Sequence, residues 1–475
     1  MTDPAGTDAG DGANGSGDGN GASHVVTAFL RHRGMVLLLR RSDAVGTYRG
    51  QWGGVSGFAE GDPDEQVRVE IREEVGLDRE AVSLVRSGRP VRFEDPDLGR
   101  GWAVHPYLFD CGTRDVDLSE EHDAFEWVSP TAMLDFDDDR ETVPELWTAY
   151  ERVAPTVRSI AADDEHGAAT LSIRALEVLR DRAGLVVQER SEATSPRNGE
   201  RGPREFGADP EGEWDELAEL ARRLLEARPS MAVLRNRVNR AMAEAGESEA
   251  EPPGAPAVLD ATLAGIDRAL AADDDAAATA ADRIQGSVAT LSRSGTVLDA
   301  LREAAPSRVF VAESRPAGEG VDLAETLADD CTVTLHTDAA VAHVLAREDP
   351  DRIVVGADAI LPDGSVVNKT GTRTLAIAAD RAGIPVSVVA ATDKVSTRDE
   401  VNLESGDRQA VYDGDASIDV LNPTFDVTPA DCVTEFVTER GVLDPGESGA
   451  IAEELRDLET WQSNVEATDA NPSTR

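Results

Sequence analysis

Cysteine is scarce. Cys111, Cys331 and Cys432 stand far apart and form no CxxC pair, which excludes a disulfide framework and a zinc-finger pattern and fits a reducing cytosol. No apolar run reaches about 18 residues, so no membrane-spanning helix is expected. The first residues, MTDPAGTDAGDGANGSGDGNGA, have neither a basic region nor an apolar stretch, so no secretory signal is expected there. Rich in Gly, Asp, Asn and Ser, they cannot bury a core, so residues 1–22 are expected to form a disordered tail. Basic residues are few: Lys+Arg total 46 against Asp+Glu 92, for a net charge of -46. Such a surface keeps a protein soluble and works against anionic membranes and direct nucleic-acid binding, where phosphates must be neutralised. The expectation is a cytoplasmic protein with small-molecule partners.

What is present argues for a folded chain. Its 475 residues are 40% hydrophobic, enough for sizeable cores. An acidic excess with few lysines is also the compositional habit of salt-loving archaea. HVVTAFL and MVLLLRR read as strands around the turn RHRG, followed by the strands GWAVHPYLFD and AFEWVSP. Between them DPDEQVRVEIREEVGL reads as a helix stopped by Gly76. A first domain over residues 23–148 follows. Next, SIRALEVLRDRAG and WDELAELARRLLEARP repeat apolar residues at three and four. They form a helical subdomain over 152–285, with a polar, flexible insertion near 186–212. From 286 to 446 short β-rich runs (RVFVAES, CTVTLHT, RIVVGADAI, VSVVAAT) alternate with helical ones, the pattern of a parallel sheet covered by helices. Residues 447–475 read as a tail with one helix.

Two constellations carry chemistry. Glu70, Glu73 and Glu74 are spaced i, i+3 and i+4, so they share one helix face. Spacing alone favours a solvated acidic face; the alternative is a magnesium or manganese site, since hard cations want several carboxylate oxygens. The second constellation lies at the strand ends of the alternating region, where open α/β sheets bind ligands. Ser314 and Arg315 follow one strand, Asp358 a second, and Asp393 and Lys394 a third. Asn368 and Lys369 precede a helix that begins near Gly371, an arrangement suited to phosphate. Each residue taken singly is ordinary turn and capping chemistry; together they point to a phosphorylated small molecule.

The segment SGFAEGDPDEQVRVEIREEVGL resembles the Nudix box, G-x5-E-x7-R-E-U-x-E-E-x-G-U with U aliphatic. Glu70-Ile71-Arg72-Glu73-Glu74-Val75-Gly76-Leu77 matches its second half residue for residue. The first half departs: the spacing from Gly57 is two residues short, Val69 stands where the arginine belongs, and Asp62 is nearest to the first glutamate. The resemblance implies an α/β/α sandwich that hydrolyses nucleoside diphosphate derivatives with Mg2+ or Mn2+. Glu73 and Glu74 would be metal ligands, Glu70 a ligand or the general base, and Glu121 an extra carboxylate.

RPSMAVLRNRVNRAM, VFVAESRPAGEG, VVGADAILPDGSVVNKTGT and NPTFDVTPADCVTEFVTERGVL resemble the translation initiation factor 2B alpha/beta/delta family. That family includes methylthioribose-1-phosphate and ribose 1,5-bisphosphate isomerases. The resemblance implies a helical subdomain plus a Rossmann-like parallel-sheet subdomain, and a homo-oligomer. It also implies catalytic Asp358 and substrate or phosphate contacts at Arg228, Ser294, Gly295, Thr296, Arg315, Asn368, Lys369 and Lys394. The isomerases' cysteine is replaced by Ser292, preceded by Leu291 where histidine is usual, and their Arg-Gly-Ala-Gly motif is only His166-Gly167-Ala168-Ala169. The leading expectation is therefore a metal-dependent Nudix hydrolase joined to a module that binds a sugar phosphate or nucleotide. The alternatives are a regulatory, initiation-factor-like binding protein with a degenerate Nudix sensor, and an aldose–ketose isomerase of the ribose 1,5-bisphosphate type.

Overall fold

A computed structural model describes residues 22–134, 140–194, 209–248 and 253–463. Residues 1–21 of the expected tail and 195–208 of the expected insertion lie outside the described residues. The chain divides into two compact units, Met1–Pro155 with Val187–Glu200, and Thr156–Val186 with Arg201–Arg475.

In the first unit the expected hairpin forms: β1 (Ala22–His32) pairs antiparallel with β2 (Met35–Arg41). There follow β3 (Trp52–Gly53), β4 (Val55–Phe58) and α1 (Pro63–Val75). Then come β5 (Val82–Ser87), β6 (Val91–Asp95), β7 (Arg100–Cys111), β8 (His122–Val128) and α2 (Leu146–Glu151). The sheet runs β3-β2-β1-β7-β5, with β4 on β1, β6 on β7 and β8 on β2; β1 and β7 are parallel. Side chains alternate along β1, so Val26, Ala28 and Leu30 face α1 while Phe29 faces α2. This is an α/β/α sandwich.

Helix α1 starts and stops for local reasons. The Asp62 side chain accepts the Asp64 N–H, Pro63 occupies the first turn, and Gly76 at φ 71° returns its N–H to the Arg72 carbonyl. The apolar stripe Val67, Ile71 and Val75 is fully buried, worth roughly 1.5–3 kcal/mol per side chain.

The second unit opens with helices: α3 (Val157–Ala162), α4 (Ala168–Thr194, whose residues from Val187 on are grouped with the first unit), α5 (Pro210–Ala227), α6 (Ala232–Gly246) and α7 (Ala255–Ala281). Helix α4 continues to Thr194, into the stretch expected to be loop from 186. GLVVQERSEAT is made mostly of tolerable or good helix formers and contains no proline to stop the run.

The sheet elements follow: β9 (Ser287–Leu291), α8 (Gly295–Ala304), β10 (Arg308–Ala312), α9 (Glu319–Leu327), β11 (Val333–His336), α10 (Val341–Glu348) and β12 (Arg352–Val355). The chain ends with β13 (Ala359–Ile360), β14 (Val366–Lys369), α11 (Thr372–Ala382), β15 (Val386–Val389), β16 (Phe425–Thr428), β17 (Glu435–Thr438), β18 (Gly441–Leu443) and α12 (Ser448–Asp457). The main sheet runs β11-β10-β9-β12-β15-β17-β18, parallel except for β18, and β13-β14-β16 form a small antiparallel sheet beside it. Alternate residues of β10 enter two cores. Val309 and Val311 pack with α7, α8 and α9 residues, whereas Phe310 and Ala312 pack with α10, α11 and α12 residues.

Counting only the parallel strands, the order is 3-2-1-4-5-6, the doubly wound arrangement that opens a crevice where the order reverses. That reversal lies between β9 and β12. Helix α6 is tied to the sheet by Asn236, whose Nδ2 donates to the Asp393 and Val395 carbonyls at 2.8 and 2.7 Å. No helix among the described residues is long and apolar enough to cross a membrane.

Candidate functional site

The first unit gathers carboxyls around the exit of β4. Glu74 is buried, and its Oε2 accepts the Ser56 N–H at 3.1 Å. Its Oε1 is buried without a hydrogen-bond partner among the described residues. Burial, with Glu70 and Glu121 nearby, pushes the Glu74 carboxyl up to about 9. Glu70 is half-buried, accepts from Gln66 Nε2 at 2.7 Å, and is also raised, chiefly by burial. Its carboxyl lies so close over Gly57 that a methyl group there would overlap it. Glu73 is exposed.

His122 Nε2 lies 3.9 Å from Glu74 Oε2, yet this is no ion pair. Burial and then Arg41 push the imidazole down to about 4, so a neutral ring faces a carboxyl that prefers its proton. Val69, at the expected arginine position, is exposed, while Arg68 lies over the Phe109 ring at 5.3 Å.

Among the described residues no three ligating groups stand preassembled for a metal. The donors nonetheless fit a hard cation: all are carboxylate oxygens, and an orphaned buried oxygen is what a cation would satisfy. Glu121, with Glu70 and Glu74, completes the charge. Arg41 and His122 were not legible as members because each comes from a different strand end.

The second unit places its polar residues at the β9/β12 crevice. Ser292, immediately after β9, has the left-handed backbone φ of 61°, and Ser314, just beyond β10, has φ 58°. The Ser292 N–H donates to Ser314 Oγ at 2.7 Å, and Ser292 Oγ donates to the Glu319 carboxylate. Glu319 Oε1 pairs with Lys369 Nζ at 2.9 Å. Asp358 feels Lys394, Lys369, Glu319 and Glu404, and burial nevertheless raises its pKa. Lys394 is buried, and its Nζ donates to the Ala357 carbonyl at 2.6 Å. Ser294 caps α8; a Cβ at Gly356 would lie 2.8 Å from its Oγ, so Ser294 and Gly295 line the same crevice as Asp358. Asn368 and Thr296 are buried there too, Asn368 donating to Thr372 Oγ1 at 2.9 Å.

Two expected residues are engaged with protein partners. The Arg228 guanidinium donates to the Ile160 and Asp163 carbonyls of the α3 region. Its neighbour Ser230 reaches Glu404 at 3.1 Å. The Arg315 side chain is exposed and pairs with Glu313 at 3.0 Å, while its N–H donates to Asp338. The cysteines are free thiols, and none is adjacent to Ser292 in sequence.

Lys369 and Lys394 are the only lysines in the chain; its other 44 Lys/Arg residues are arginines. A surface without lysine is a matter of composition, but two lysines kept at one crevice mark a need for a compact point charge that arginine does not meet.

The initiation factor 2 subunit family matches residues 164–445, and the NUDIX domain matches residues 21–146. Ribose 1,5-bisphosphate isomerase of Haloferax volcanii is 32% identical over 323 residues, covering 64% of this chain and 94% of that protein. Methylthioribose-1-phosphate isomerase of Heliobacterium modesticaldum is 39% identical over 171 residues, 32% of this chain and 48% of that protein. The chain thus spans about half the length of the methylthioribose-1-phosphate isomerases it matches. The structure of translation initiation factor eIF-2B from Pyrococcus horikoshii OT3 aligns with TM-score 0.49 and 26% identity, over 61% of this chain and 95% of that one.

Proposed function

Because this chain belongs to the initiation factor 2 subunit family and carries a Nudix domain ahead of that region, we propose that it joins two small-molecule activities. The front domain hydrolyses a nucleoside diphosphate derivative. The rear crevice holds a phosphorylated pentose, the class of compound to which the ribose 5-phosphate released from ADP-ribose also belongs.

For the front domain the carrying observation is the orphaned Oε1 of Glu74 beside Glu70 and Glu121. Glu74, Glu73 and Glu70 would hold Mg2+ or Mn2+, which when bound neutralises the diphosphate. As the alternative to ligation, Glu70, anchored by Gln66 over Gly57, would take a proton from the attacking water. Arg41 and the neutral His122 keep the inner wall of this site free of further negative charge.

For the rear domain the carrying observation is the pair of lone lysines at the switch-point crevice. Lys369 and the first turn of α8, capped by Ser294, offer charge and N–H groups to phosphate. Lys394 is spent on the Ala357 carbonyl and fixes the Asp358 loop.

Both halves are directly testable. Release of a nucleoside monophosphate from a panel of nucleotide sugars and ADP-ribose with magnesium or manganese, read by chromatography, is expected from the wild type and is expected to be lost in Glu74→Gln. No turnover on any of them by folded protein would leave the front domain as a sensor. With two lysines in the chain, acetylation followed by mass spectrometry reports the crevice cleanly, and ribose 1,5-bisphosphate is expected to protect Lys369. Equal labelling with and without it would exclude this occupant.

A further inference from the structure

The rear crevice contains a second carboxylate that the sequence did not single out. Glu319 opens α9, one oxygen on Lys369 Nζ and the other receiving the Ser292 hydroxyl. Its side chain is 28% exposed, so an occupant of the crevice can reach it. Gly320, next to it, presses the start of α9 against the Ala312 carbonyl at the end of β10, where any side chain would overlap. Glu319 is therefore set by backbone packing and has little room to drift.

Ser292 is held just as firmly. A non-glycine residue in the left-handed region costs roughly 1–3 kcal/mol and persists where the surroundings enforce it. Here the Ser314 hydroxyl, itself on a left-handed residue, accepts the Ser292 N–H. The strain presents the Ser292 hydroxyl to Glu319. Asp358 shares the field of Lys369, Lys394 and Glu319, and burial raises its carboxyl above the usual carboxylate range. Two carboxyls in one crevice, one raised by burial and the other ion-paired with Lys369, are the arrangement that divides acid from base.

We infer that Glu319 is the base that moves a proton between C2 and C1 of a phosphorylated aldose, with Asp358 as the acid and Ser292 as the hydroxyl that orients Glu319. The inference rests on the sugar-phosphate reading of this crevice. The steps balance without a co-reactant. With ribose 1,5-bisphosphate, Asp358 gives its proton to the ring oxygen as the C1–O4 bond breaks. Glu319 takes the proton on C2, and the C–H electrons form the C1=C2 bond. Glu319 then returns that proton to C1, while the C2 hydroxyl proton goes back to Asp358 and C2=O forms. The product is the 2-ketose bisphosphate, and both carboxyls regain their starting states. Lys369 is placed to follow the negative charge as it leaves Glu319.

The test incubates the full-length chain with ribose 1,5-bisphosphate in deuterated water. Ketose formation and deuterium entry at C1 are followed by proton NMR, and binding is measured separately by calorimetry. The wild type is expected to form ketose. Glu319→Gln is expected to lose kcat by 10²–10⁴-fold, the span of a general base, with KM within a few-fold and binding retained. Glu319→Asp should recover part of the rate, and Ser292→Ala should lose about tenfold or less. Each of three results would overturn the inference: wild-type kcat in folded Glu319→Gln, Ser292→Ala as damaging as Glu319→Gln, or binding by the wild type with neither ketose nor exchange. The last would make the crevice a binding site only. Absence of binding is a different failure, because it removes the sugar-phosphate reading itself.

Discussion

Replacing Glu74 by Gln is expected to stabilise the front domain while destroying its hydrolysis. The carboxyl titrates near 4.5 in an unfolded chain and about 9 in the folded one. The folded state therefore holds the proton more tightly. This contribution to stability is complete below pH 4.5 and is lost as the pH rises towards 9. Between those limits the slope is about 1.4 kcal/mol per pH unit, so by pH 7 the wild type has given up on the order of 3 kcal/mol. Gln is nearly isosteric with the protonated acid and carries no such slope. The stability difference between variant and wild type should accordingly grow by about 3 kcal/mol from pH 4.5 to pH 7, a gap in midpoint on the order of 10 °C for a domain of this size. Four of the six tryptophans, Trp52, Trp102, Trp127 and Trp147, lie in the first unit. Denaturation followed by tryptophan fluorescence in EDTA therefore reads mainly this domain. Parallel pH profiles for the two proteins would refute the assignment of Glu74 as a buried, proton-holding acid. Magnesium should flatten the wild-type profile, because a cation takes the place of the proton.

Two further outcomes follow from the packing. Gly57→Ala would push the Glu70 carboxyl off its seat; hydrolysis should fall about 100-fold, as for an ångström-scale misplacement. Folding should change little, since the displaced group is the end of a flexible side chain, and calorimetry beside the hydrolysis assay separates the two effects. Arg237→Ala would remove a buried guanidinium bound to Asp393, Asp273 and Ser172. Urea denaturation should show a loss of roughly 3 kcal/mol, the lower end for breaking a buried pair, because Arg240 still holds Asp393 at 2.8 Å.

What was legible in the sequence was what is local. The spacing of Glu70, Glu73 and Glu74 and the stop at Gly76 located α1, and strand-helix alternation with polar strand ends located the crevice. What stayed hidden depends on pairing over distance. Glu319 is one of 92 acidic residues; only the meeting of β9, α9 and β14 singles it out. The resemblance implies a phosphate contact at Arg228, and here its guanidinium donates to two carbonyls of the α3 region, which nothing in RPSMAVLRNRVNRAM announces. Ser292 reads as a loss of chemistry until the carboxylate beside it is seen. Helix α4 outran its expected end because the polar run after Val186 lacks a breaker, and polarity alone does not end a helix.

The position of β9 also has a bearing on how the chain is made. It is the first strand of the large sheet to emerge in synthesis, yet it ends in the middle, between β10 and β12. Its partner on one side follows within a few turns of chain, but Arg352, which faces Val288 on the other, is synthesised roughly 60 residues later, several seconds at ordinary elongation rates. During that interval one edge of an apolar strand is open, and an open edge invites pairing between nascent chains. Substitutions that slow or weaken β12 should therefore lower the yield of native protein more than its final stability.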